Sequence, residues 1–560
     1  MNIRVVLRFL SVIAYLIGCS MFLCLPWALE VCGGNWEYER RGVFGLLCSI
    51  LICFLTGLLL KYLAKSPKKQ RLFRKEAMAV VGLSWILATI LGALPYLISG
   101  TFRASDTKMS VPDALFESQS GISTTGATVL AELEKPELVP RCIMFWRSTT
   151  QFLGGLGIMV LFVAILGHGS AAKAVMKAEM TAVKGLGQQA RIRQTALMVG
   201  LVYLVLNAML ILLLLIEGVA PFDAICHAFG TISTGGFSTF DSSVGYFAAE
   251  TNLNSSLIEW TLIVFMFLGG TNFMLMYWFA NGWKYNLFRD TEWKTYTGII
   301  VVATVAIFIV GWLHHDFTNT GTADKPARYI RFTPPVSWLD SSENEKSTHL
   351  VSIENTGAVP WYVAVRYCTF HVVSIITTSG FCTSEYEKWN GFARGLTLLL
   401  MFIGGCTGST AGGMKVLRFV IGWKILAHAV EQSFRPNLVR SLKISGQVIS
   451  KQTIHQVQVY FMMVGALVVA GTLIILVLEP TKRWEQDRIG MEHKLIDVGS
   501  SAIATLNNIG PGLGLVGARE NYGGFTELSK FLFVWFMMLG RLEMFVILSL
   551  FHPAFWKSHS

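Results

Sequence analysis

The chain has 560 residues, of which 53% are hydrophobic and only 14% are charged, and its net charge is +11. A soluble protein of this length needs far more polar residues to cover its surface, so this composition excludes a soluble fold and indicates a lipid environment. The basic residues lie in short loops between apolar segments, which is the positive-inside pattern of a membrane protein, and we therefore predict no nucleic-acid partner.

The first apolar segment follows Arg4 and Arg8, as in a signal peptide, and the residues from Leu16 to Cys19 resemble a lipoprotein cleavage box. The apolar residues continue to about Leu29, long enough to cross a membrane, so we predict an uncleaved first helix. The complete set of predicted spans lies near residues 7–29, 43–63, 77–99, 143–167, 195–216, 257–281, 296–313, 392–423, 454–478 and 529–551.

Charge in the connecting loops orients these spans. Basic loops near 66–75, 169–194 and 425–451 alternate with loops that hold most of the acidic residues. With ten spans, this asymmetry predicts that both termini are cytoplasmic. The segment 314–360 is then an extracytoplasmic insertion, for which the sequence indicates no function.

From residue 77 onward the spans fall into pairs, and each pair encloses a shorter amphipathic segment that ends in small and hydroxylated residues. These segments are too short to cross a membrane, so they must enter and return, which requires burial in protein or contact with water. The four loops align without gaps on one glycine each, here called the anchor glycines: Gly126, Gly236, Gly380 and Gly510. In the first, second and fourth loops an aspartate lies 13 positions before the anchor: Asp113, Asp223 and Asp497. In the third loop this position is Tyr367.

A second repeated signal lies in the spans after the loops. Paired glycines occupy comparable positions in the first three of these spans: Gly154-Gly155, Gly269-Gly270 and Gly404-Gly405. In the fourth span the pair is replaced by Gly540-Arg541. Internal repetition of this kind predicts architecture. We predict an all-α integral membrane fold with ten transmembrane helices, in which four membrane–pore loop–membrane repeats surround a pseudo-fourfold pore. Residues 1–76 form two N-terminal helices and a basic cytoplasmic loop. The four repeats follow at 77–168, 195–281, 296–424 and 454–551.

Four converging loops can offer several oxygen ligands to a dehydrated cation at once, from backbone carbonyls and nearby Ser and Thr hydroxyls. Glycine permits the positive φ angles that direct consecutive carbonyls to one axis, and the carbonyl end of each preceding short helix favours a cation. The alternative is that small residues serve close helix packing, as they do in many membrane proteins.

Three strings in the loops resemble the filter motifs of the Trk/Ktr/HKT potassium transporter superfamily: Ser123–Ala127, Ser233–Phe237 and Asn508–Gly512. After the third loop, Phe402–Lys415 closely resembles the third-repeat motif of the same superfamily. The two additional N-terminal spans and the length make the chain most similar to the membrane subunit of bacterial Trk-type potassium uptake systems. The resemblance implies potassium uptake across the bacterial inner membrane, with K⁺ as the transported ion and no cofactor bound by this chain.

By position, the resemblance places the potassium ligands at and just before each anchor glycine: Thr124, Thr125, Gly126, Thr234, Gly235, Gly236, Thr378, Ser379, Gly380, Asn508, Ile509 and Gly510. In plant relatives a serine at the first anchor accompanies sodium transport. All four anchors are glycine here, which favours potassium.

A glycine-rich run after the third loop is a poor helix former, and the resemblance makes it an intramembrane gating loop: Gly404, Gly405, Gly408, Ser409, Thr410, Gly412 and Gly413. The alternative is a flexible kink without a gating role. A charge inside a span is costly and usually functional, so we also predict that Arg541 projects into the path below the filter as an electrostatic barrier. The competing interpretation is a structural ion pair with Glu543.

Four further charged or polar residues have less specific signals. His227 and His371 occupy equivalent positions in the predicted pore helices, with Glu117 in the first repeat. They face either an outer vestibule or hydrogen-bond partners in the core. Arg147 is interpreted as a structural residue or an interhelical partner.

Two other functions compete with channel-like uptake. A proton- or sodium-coupled symporter would use the same filter, but such transporters usually need a titratable acid in the membrane centre, and we find no unpaired one in these spans. An enzyme would need a nucleophile, a metal cluster or paired acids, and the cysteines lack metal-ligand spacing.

The resemblance also implies partners, because the family works as a homodimer with a cytoplasmic nucleotide-binding ring subunit. The loops 169–194 and 425–451 are either docking surfaces for this subunit or only topology determinants.

Overall fold

The structure is a computed structural model that describes residues 2–64, 74–166, 189–248, 253–282, 284–314, 316–317, 360–436, 442–444, 447–481, 490–542 and 544–556. The described part is mainly helical. Its strands form two antiparallel hairpins, β1 (Phe102–Ala104) with β2 (Thr107–Lys108) and β3 (Lys443–Ile444) with β4 (Gln447–Val448). The mainly helical structure agrees with the predicted all-α class, to which these two short hairpins are local exceptions.

The helices follow one another in the order α1 (Ile3–Met21), α2 (Trp36–Ala64), α3 (Arg74–Ile98), α4 (Val111–Ile122), α5 (Arg141–Leu166), α6 (Gln189–Ile216), α7 (Pro221–Ile232), α8 (Ser255–Gly269), α9 (Phe273–Ala280), α10 (Lys284–Arg289), α11 (Thr291–Leu313), α12 (Trp361–Ile376), α13 (Gly391–Leu400), α14 (Val416–Phe434), α15 (Lys451–Leu478), α16 (Gly490–Leu506), α17 (Glu527–Arg541), α18 (Met544–Phe551) and α19 (Pro553–Trp556). Short 3₁₀ turns lie at Phe22–Ala28, Glu30–Cys32, Ser243–Ala248, Tyr386–Lys388, Gly514–Val516 and Tyr522–Gly524.

Six of the described helices are long and apolar enough to cross a membrane: α1 with its extension to Ala28, α2, α3, α6, α11 and α15. Large apolar side chains such as Leu59, Leu212 and Val477 are exposed on these helices. Exposed apolar residues along a spanning helix are typical of a surface that faces lipid. The protein is a multi-pass membrane protein.

Three of the predicted spans are not single helices, and one of the breaks lies at the glycine-rich run that the sequence predicts to be a poor helix. In the span 257–281, α8 and α9 are bent by 104°, because the side chain of Asn272 caps a new helix by accepting hydrogen bonds from the amides of Met274 and Leu275. The span 392–423 is interrupted from residue 401 to 415, where the glycine-rich run lies, and the span 529–551 is divided between α17 and α18.

Four short helices precede the anchor glycines: α4, α7, α12 and α16. The start of α4 is fixed by a capping box, in which the Ser110 hydroxyl accepts from the Asp113 amide and the Asp113 carboxylate accepts from the Ser110 amide. Each of the four helices ends four residues before its anchor glycine. Their carboxyl ends therefore direct backbone carbonyls toward the region where the anchor glycines lie.

Candidate functional site

The same unusual backbone conformation occurs in all four loops, two residues before each anchor glycine. The φ angles are 52° at Thr124, 56° at Thr234, 59° at Thr378 and 55° at Asn508. Left-handed φ is uncommon outside glycine, and strongly so for a β-branched residue such as threonine. These four residues are called the turn residues below, and their shared conformation is a structural repeat.

The anchor glycines supply a second left-handed residue in three of the loops. The φ angles are 81° at Gly126, 76° at Gly236 and 75° at Gly380. Gly510 is not among the residues with left-handed φ. Pro511 follows it, and a proline restricts the conformation of the residue before it. The expectation of a left-handed glycine therefore holds in three loops and is wrong in the fourth.

The first three loops lie in direct contact in sequence order. A methyl group placed on Gly126 would lie 2.1 Å from the carbonyl oxygen of Gly235, and one on Gly236 would lie 1.7 Å from that of Ser379. Both distances are far too short for a real contact. Only glycine therefore allows the backbone of each loop to approach the next so closely.

The fourth loop closes this arrangement into a ring. A methyl group on Gly380 would lie 2.8 Å from Cδ of Pro511, and one on Gly510 would lie 2.7 Å from the carbonyl carbon of Gly126. The first loop thus contacts the second, the second contacts the third, the third contacts the fourth, and the fourth contacts the first. We call this arrangement the anchor ring, and it brings together the sequence-predicted residues of all four loops.

Side-chain hydrogen bonds hold the ring together, two of them from Gln151 and one from Tyr522, which lie outside the predicted set. The amide of Gln151 donates to the carbonyl oxygen of Gly235 at 2.7 Å and accepts from the Phe237 amide at 3.1 Å. The amide nitrogen of Asn508 donates to the Thr125 hydroxyl at 3.0 Å, which links the fourth loop to the first. The Tyr522 hydroxyl donates to the carbonyl oxygen of Gly510 at 3.2 Å.

Two buried oxygen atoms of the turn residues have no hydrogen-bond partner among the described residues: Oγ1 of Thr124 and Oδ1 of Asn508. Both side chains are fully buried. A buried polar atom without a partner is uncommon and calls for an explanation. Ile509 is also fully buried, and its side chain is apolar, so it can offer a ligand only through its backbone.

A cavity lies on one side of the anchor ring and is lined by all four anchor glycines together with Arg147, Asp241, Arg519 and Glu520. Burial raises the pKa of Asp241 to about 7, and the neighbouring Glu134 adds to the rise, while a hydrogen bond from the Leu133 amide opposes it. The lining of this cavity thus combines acidic side chains, Asp241 and Glu520, with basic ones, Arg147 and Arg519.

The paired glycines of the helices after the loops also allow close approach. A methyl group on Gly154 would lie 2.1 Å from the carbonyl oxygen of Ile122, and one on Gly540 would lie 2.0 Å from that of Leu506. Each of these two glycines therefore contacts the end of the short helix in its own repeat. The second member of the first pair, Gly155, faces Ser233 of the next loop.

The glycine-rich run between Leu400 and Val416, here called the intramembrane loop, lies against the anchor ring. The Gly412 amide donates to the Thr378 hydroxyl at 2.7 Å. A methyl group on Gly412 would lie 2.6 Å from Cβ of Asn508. Gly408 and Gly413 have left-handed φ angles of 78° and 63°, so a helix cannot continue through this run.

Further contacts of the intramembrane loop reach the bend between α8 and α9. The Cys406 amide donates to the carbonyl oxygen of Gly270 at 2.8 Å, and a methyl group on Gly405 would lie 2.7 Å from the same atom. The Thr410 hydroxyl donates to the carbonyl oxygen of Ile232 at 2.7 Å. Ser409 donates within the loop, to the carbonyl oxygen of Cys406 at 2.6 Å, and a methyl group on Gly404 would lie 2.3 Å from the Gly412 carbonyl oxygen.

Arg541 ends α17 and contacts this loop directly. Its guanidinium donates to the carbonyl oxygen of Thr410 at 2.6 Å and to that of Gly154 at 3.3 Å. Its side chain is 7% exposed. The competing ion pair with Glu543 lies outside the described residues.

The other singled-out residues bind partners in the core. Nε of Arg147 lies 2.5 Å from Oε1 of Glu117, and the pair is almost completely buried. The two histidines hydrogen-bond too, His227 with Ser238 at 3.0 Å and His371 with Thr397 at 2.8 Å. Of the two interpretations of these residues, the structure favours core hydrogen bonding.

Sequence reasoning missed three residues that hold the site from other helices: Gln151, and Asn272 and Glu292, which both hydrogen-bond Thr407 in the intramembrane loop. A polar residue inside an apolar segment was the available signal for Gln151. Asn272 follows the paired glycines of its span, where a helix cap was a natural interpretation. Glu292 lies near the first residue of a span, where acidic residues commonly serve helix ends, so it gave no distinct signal.

Comparison with known proteins identifies the family of the chain. A family model described as "TrkH: Cation transport protein" matches residues 45–558. The Trk system potassium uptake protein TrkH of Salmonella typhimurium is 31% identical over 493 residues, 88% of each chain, and that of Halomonas elongata is 29% identical over 567 residues, 100% of each chain.

The crystal structure of the potassium transporter TrkH from Vibrio parahaemolyticus matches with a TM-score of 0.78 and 29% sequence identity over 100% of both chains. These findings confirm the predicted resemblance to the membrane subunit of Trk-type systems and the prediction of a transport protein rather than an enzyme. The chain belongs to the TrkH family of cation transport proteins.

Proposed function

We propose that this protein takes up potassium across the bacterial inner membrane and that the anchor ring is its selectivity filter. The observation that carries the proposal is the closed contact of four loops that share one left-handed turn. The relatives are named as potassium uptake proteins. A ring of backbone and hydroxyl oxygens is the arrangement that replaces the hydration shell of a potassium ion.

In this proposal each repeat contributes one side of the filter, with the repeats at 77–168, 195–281, 296–424 and 454–551 and the N-terminal unit at 1–76 outside them. The ligands are the turn residue, the residue after it and the anchor glycine of each loop. The unpartnered oxygens of Thr124 and Asn508 support this assignment, because a cation can satisfy buried oxygens that receive no proton.

The proposed gate is the intramembrane loop together with Arg541. The loop contacts the filter through Gly412 and Thr378, and Arg541 holds the loop at Thr410. A fixed positive charge at this position repels a cation that leaves the filter. Release of the loop would therefore remove both an obstruction and an electrostatic barrier.

Control by a cytoplasmic nucleotide-binding ring subunit, assembly as a homodimer, and cytoplasmic termini are further parts of the proposal. They follow from the family resemblance and from the basic loops of the sequence. Of the two candidate docking loops, residues 169–188 of the first and residues 437–441 and 445–446 of the second lie outside the described residues, as does most of the insertion at 314–360.

The experiment is uptake of rubidium-86 by proteoliposomes that contain the purified protein, driven by a membrane potential without a sodium or proton gradient. Competition by potassium but not by sodium or lithium would support the proposal. Uptake that requires a proton or sodium gradient would instead support the coupled symporter. Uptake that sodium and potassium inhibit equally would contradict a potassium filter.

A further inference from the structure

A single buried carboxylate holds the intramembrane loop to another helix. Oε1 of Glu292, in the first turn of α11, accepts a hydrogen bond from the Thr407 amide at 2.7 Å, from the Thr407 hydroxyl at 2.9 Å and from the Leu417 amide at 3.2 Å. The Glu292 side chain is 5% exposed. One oxygen atom therefore binds both the loop and the start of the helix that follows it.

Thr407 is also held at its carbonyl group, on the other side from Glu292. The side-chain amide of Asn272 donates to the carbonyl oxygen of Thr407 at 2.6 Å, and the Phe273 amide donates to that of Gly408 at 3.2 Å. Thr407 is thus bound at its amide, its hydroxyl and its carbonyl by two residues that lie outside the loop.

These two residues belong to one short stretch of chain. Asn272 caps α9, and Glu292 lies in the first turn of α11, with α10 between them. In the topology predicted above, this stretch lies toward the cytoplasm. A displacement of the stretch from 272 to 292 would therefore pull on both sides of Thr407 together.

The loop depends on these external partners. A regular helix satisfies its own amides, but the run from 401 to 415 is not helical and its left-handed glycines prevent a helix from forming there. Hydrogen bonds to a carboxylate are about twice as strong as those between neutral groups. Loss of the Glu292 carboxylate should therefore shift the loop away from its present position.

We propose that Glu292 and Asn272 form a clamp on Thr407 that keeps the intramembrane loop in its closed position, and that the stretch from 272 to 292 is the lever through which the clamp is released. Glu292 is a positioning residue in this account, because it acts through Thr407 and not on the ion. The proposal rests on the gating role of the loop in the proposed function.

Cys406 provides a test that does not depend on transport. It lies next to Thr407 and is 1% exposed. The rate at which N-ethylmaleimide modifies Cys406, followed by mass spectrometry of its peptide, therefore reports release of the loop. Cys226 in α7 is also fully buried and serves as an internal control for general unfolding.

The variants are Glu292→Ala and Thr407→Val, with Glu76→Ala as the matched control. Glu76 is also a buried glutamate in the first turn of a spanning helix, α3, and it accepts from the Asn2 amide, distant in sequence from the loop. We expect Cys406 to react about ten-fold faster in both clamp variants, with Cys226 unchanged, and rubidium-86 uptake to rise with potassium preference retained.

Unchanged reactivity of Cys406 in both clamp variants would overturn the clamp, whether or not the wild type transports rubidium. Equal acceleration at Cys406 and Cys226 would show a general structural role and also overturn it. Faster Cys406 reaction without increased uptake, in a wild type that does transport, would overturn its role in gating while leaving the proposed uptake function standing.

Discussion

The guanidinium of Arg541 donates a hydrogen bond to the carbonyl oxygen of Thr410 over 2.6 Å, and so joins the end of α17 to the intramembrane loop. The same side chain reaches the carbonyl oxygen of Gly154 in α5. One residue of α17 therefore connects the intramembrane loop with α5.

This relationship predicts that Arg541→Gln increases rubidium-86 uptake, by about ten-fold, because the variant loses charge-assisted bonds to the loop and also the positive charge near the path. Arg541→Lys keeps the charge but lacks the planar guanidinium, so its uptake should lie between those of the wild type and Arg541→Gln. Uptake in Arg541→Gln at or below the wild-type rate would contradict this account of the closed state.

The buried pair of Glu117 and Arg147 should matter for stability. Removal of one partner leaves a buried charge without its counterion, so Glu117→Gln should lower the free energy of unfolding by about 3–5 kcal/mol. The measurement is thermal unfolding of the purified protein in detergent. The control is Glu431→Gln, which breaks an exposed pair with Arg435 at 3.7 Å and should cost less than about 1 kcal/mol. Similar losses in the two variants would refute the prediction.

Asp241 should make stability depend on pH in a defined direction. Burial raises its pKa to about 7, above that of an ordinary aspartate, so between about pH 4 and pH 7 the folded state binds more protons than the unfolded state. The contribution of Asp241 to stability therefore decreases as the pH rises through this range, and it is constant above it.

The variant Asp241→Asn cannot ionise and keeps an oxygen acceptor for the Leu133 amide. Its stability relative to the wild type in thermal unfolding should be greater at pH 8 than at pH 5, by about 1–2 kcal/mol after allowance for solvent screening. Comparison of the two proteins at each pH cancels the titration of the other groups. A difference that is equal at pH 5 and pH 8 would show that Asp241 does not titrate in this range.

Gln151 is expected to control selectivity, because its amide holds both Gly235 and Phe237 in the second loop. Gln151→Leu leaves these two backbone groups without their partner, at a cost of about 1–3 kcal/mol, and should let sodium compete with rubidium. The control is Asn207→Leu, because Asn207 is a buried amide that donates to the Tyr203 carbonyl within its own helix α6. Sodium competition that is unchanged in Gln151→Leu would refute this role.

Much of the fold could be predicted because its signals are local. Repeated glycine and threonine positions indicated the loops, and the glycine-rich run indicated where a helix is interrupted. The conformation of Gly510 could also have been expected from Pro511, which restricts its predecessor. At this position the restriction from proline outweighs the conformational freedom of glycine.

The contacts that assemble the site could not be predicted in this way, because they join distant parts of the chain. Glu292 and Thr407 are separated by 115 positions, and Asn508 and Thr125 by 383. No periodicity or short motif relates such pairs. Single residues such as Glu292 also resemble ordinary helix-end acids, and only the folded structure distinguishes them.

The central claim is that the anchor ring selects potassium, and Gly126→Ser tests it most directly. A side chain at Gly126 would meet the Gly235 carbonyl oxygen at 2.1 Å and would have to adopt a φ of 81°, so the ring must change shape. The measurement is sodium inhibition of rubidium-86 uptake in proteoliposomes, with Gly200→Ser as the control because a methyl group at Gly200 meets no atom within 4 Å. The account predicts that sodium competes strongly in Gly126→Ser and weakly in the wild type and the control. Uptake by Gly126→Ser with the same discrimination against sodium as the wild type would contradict it.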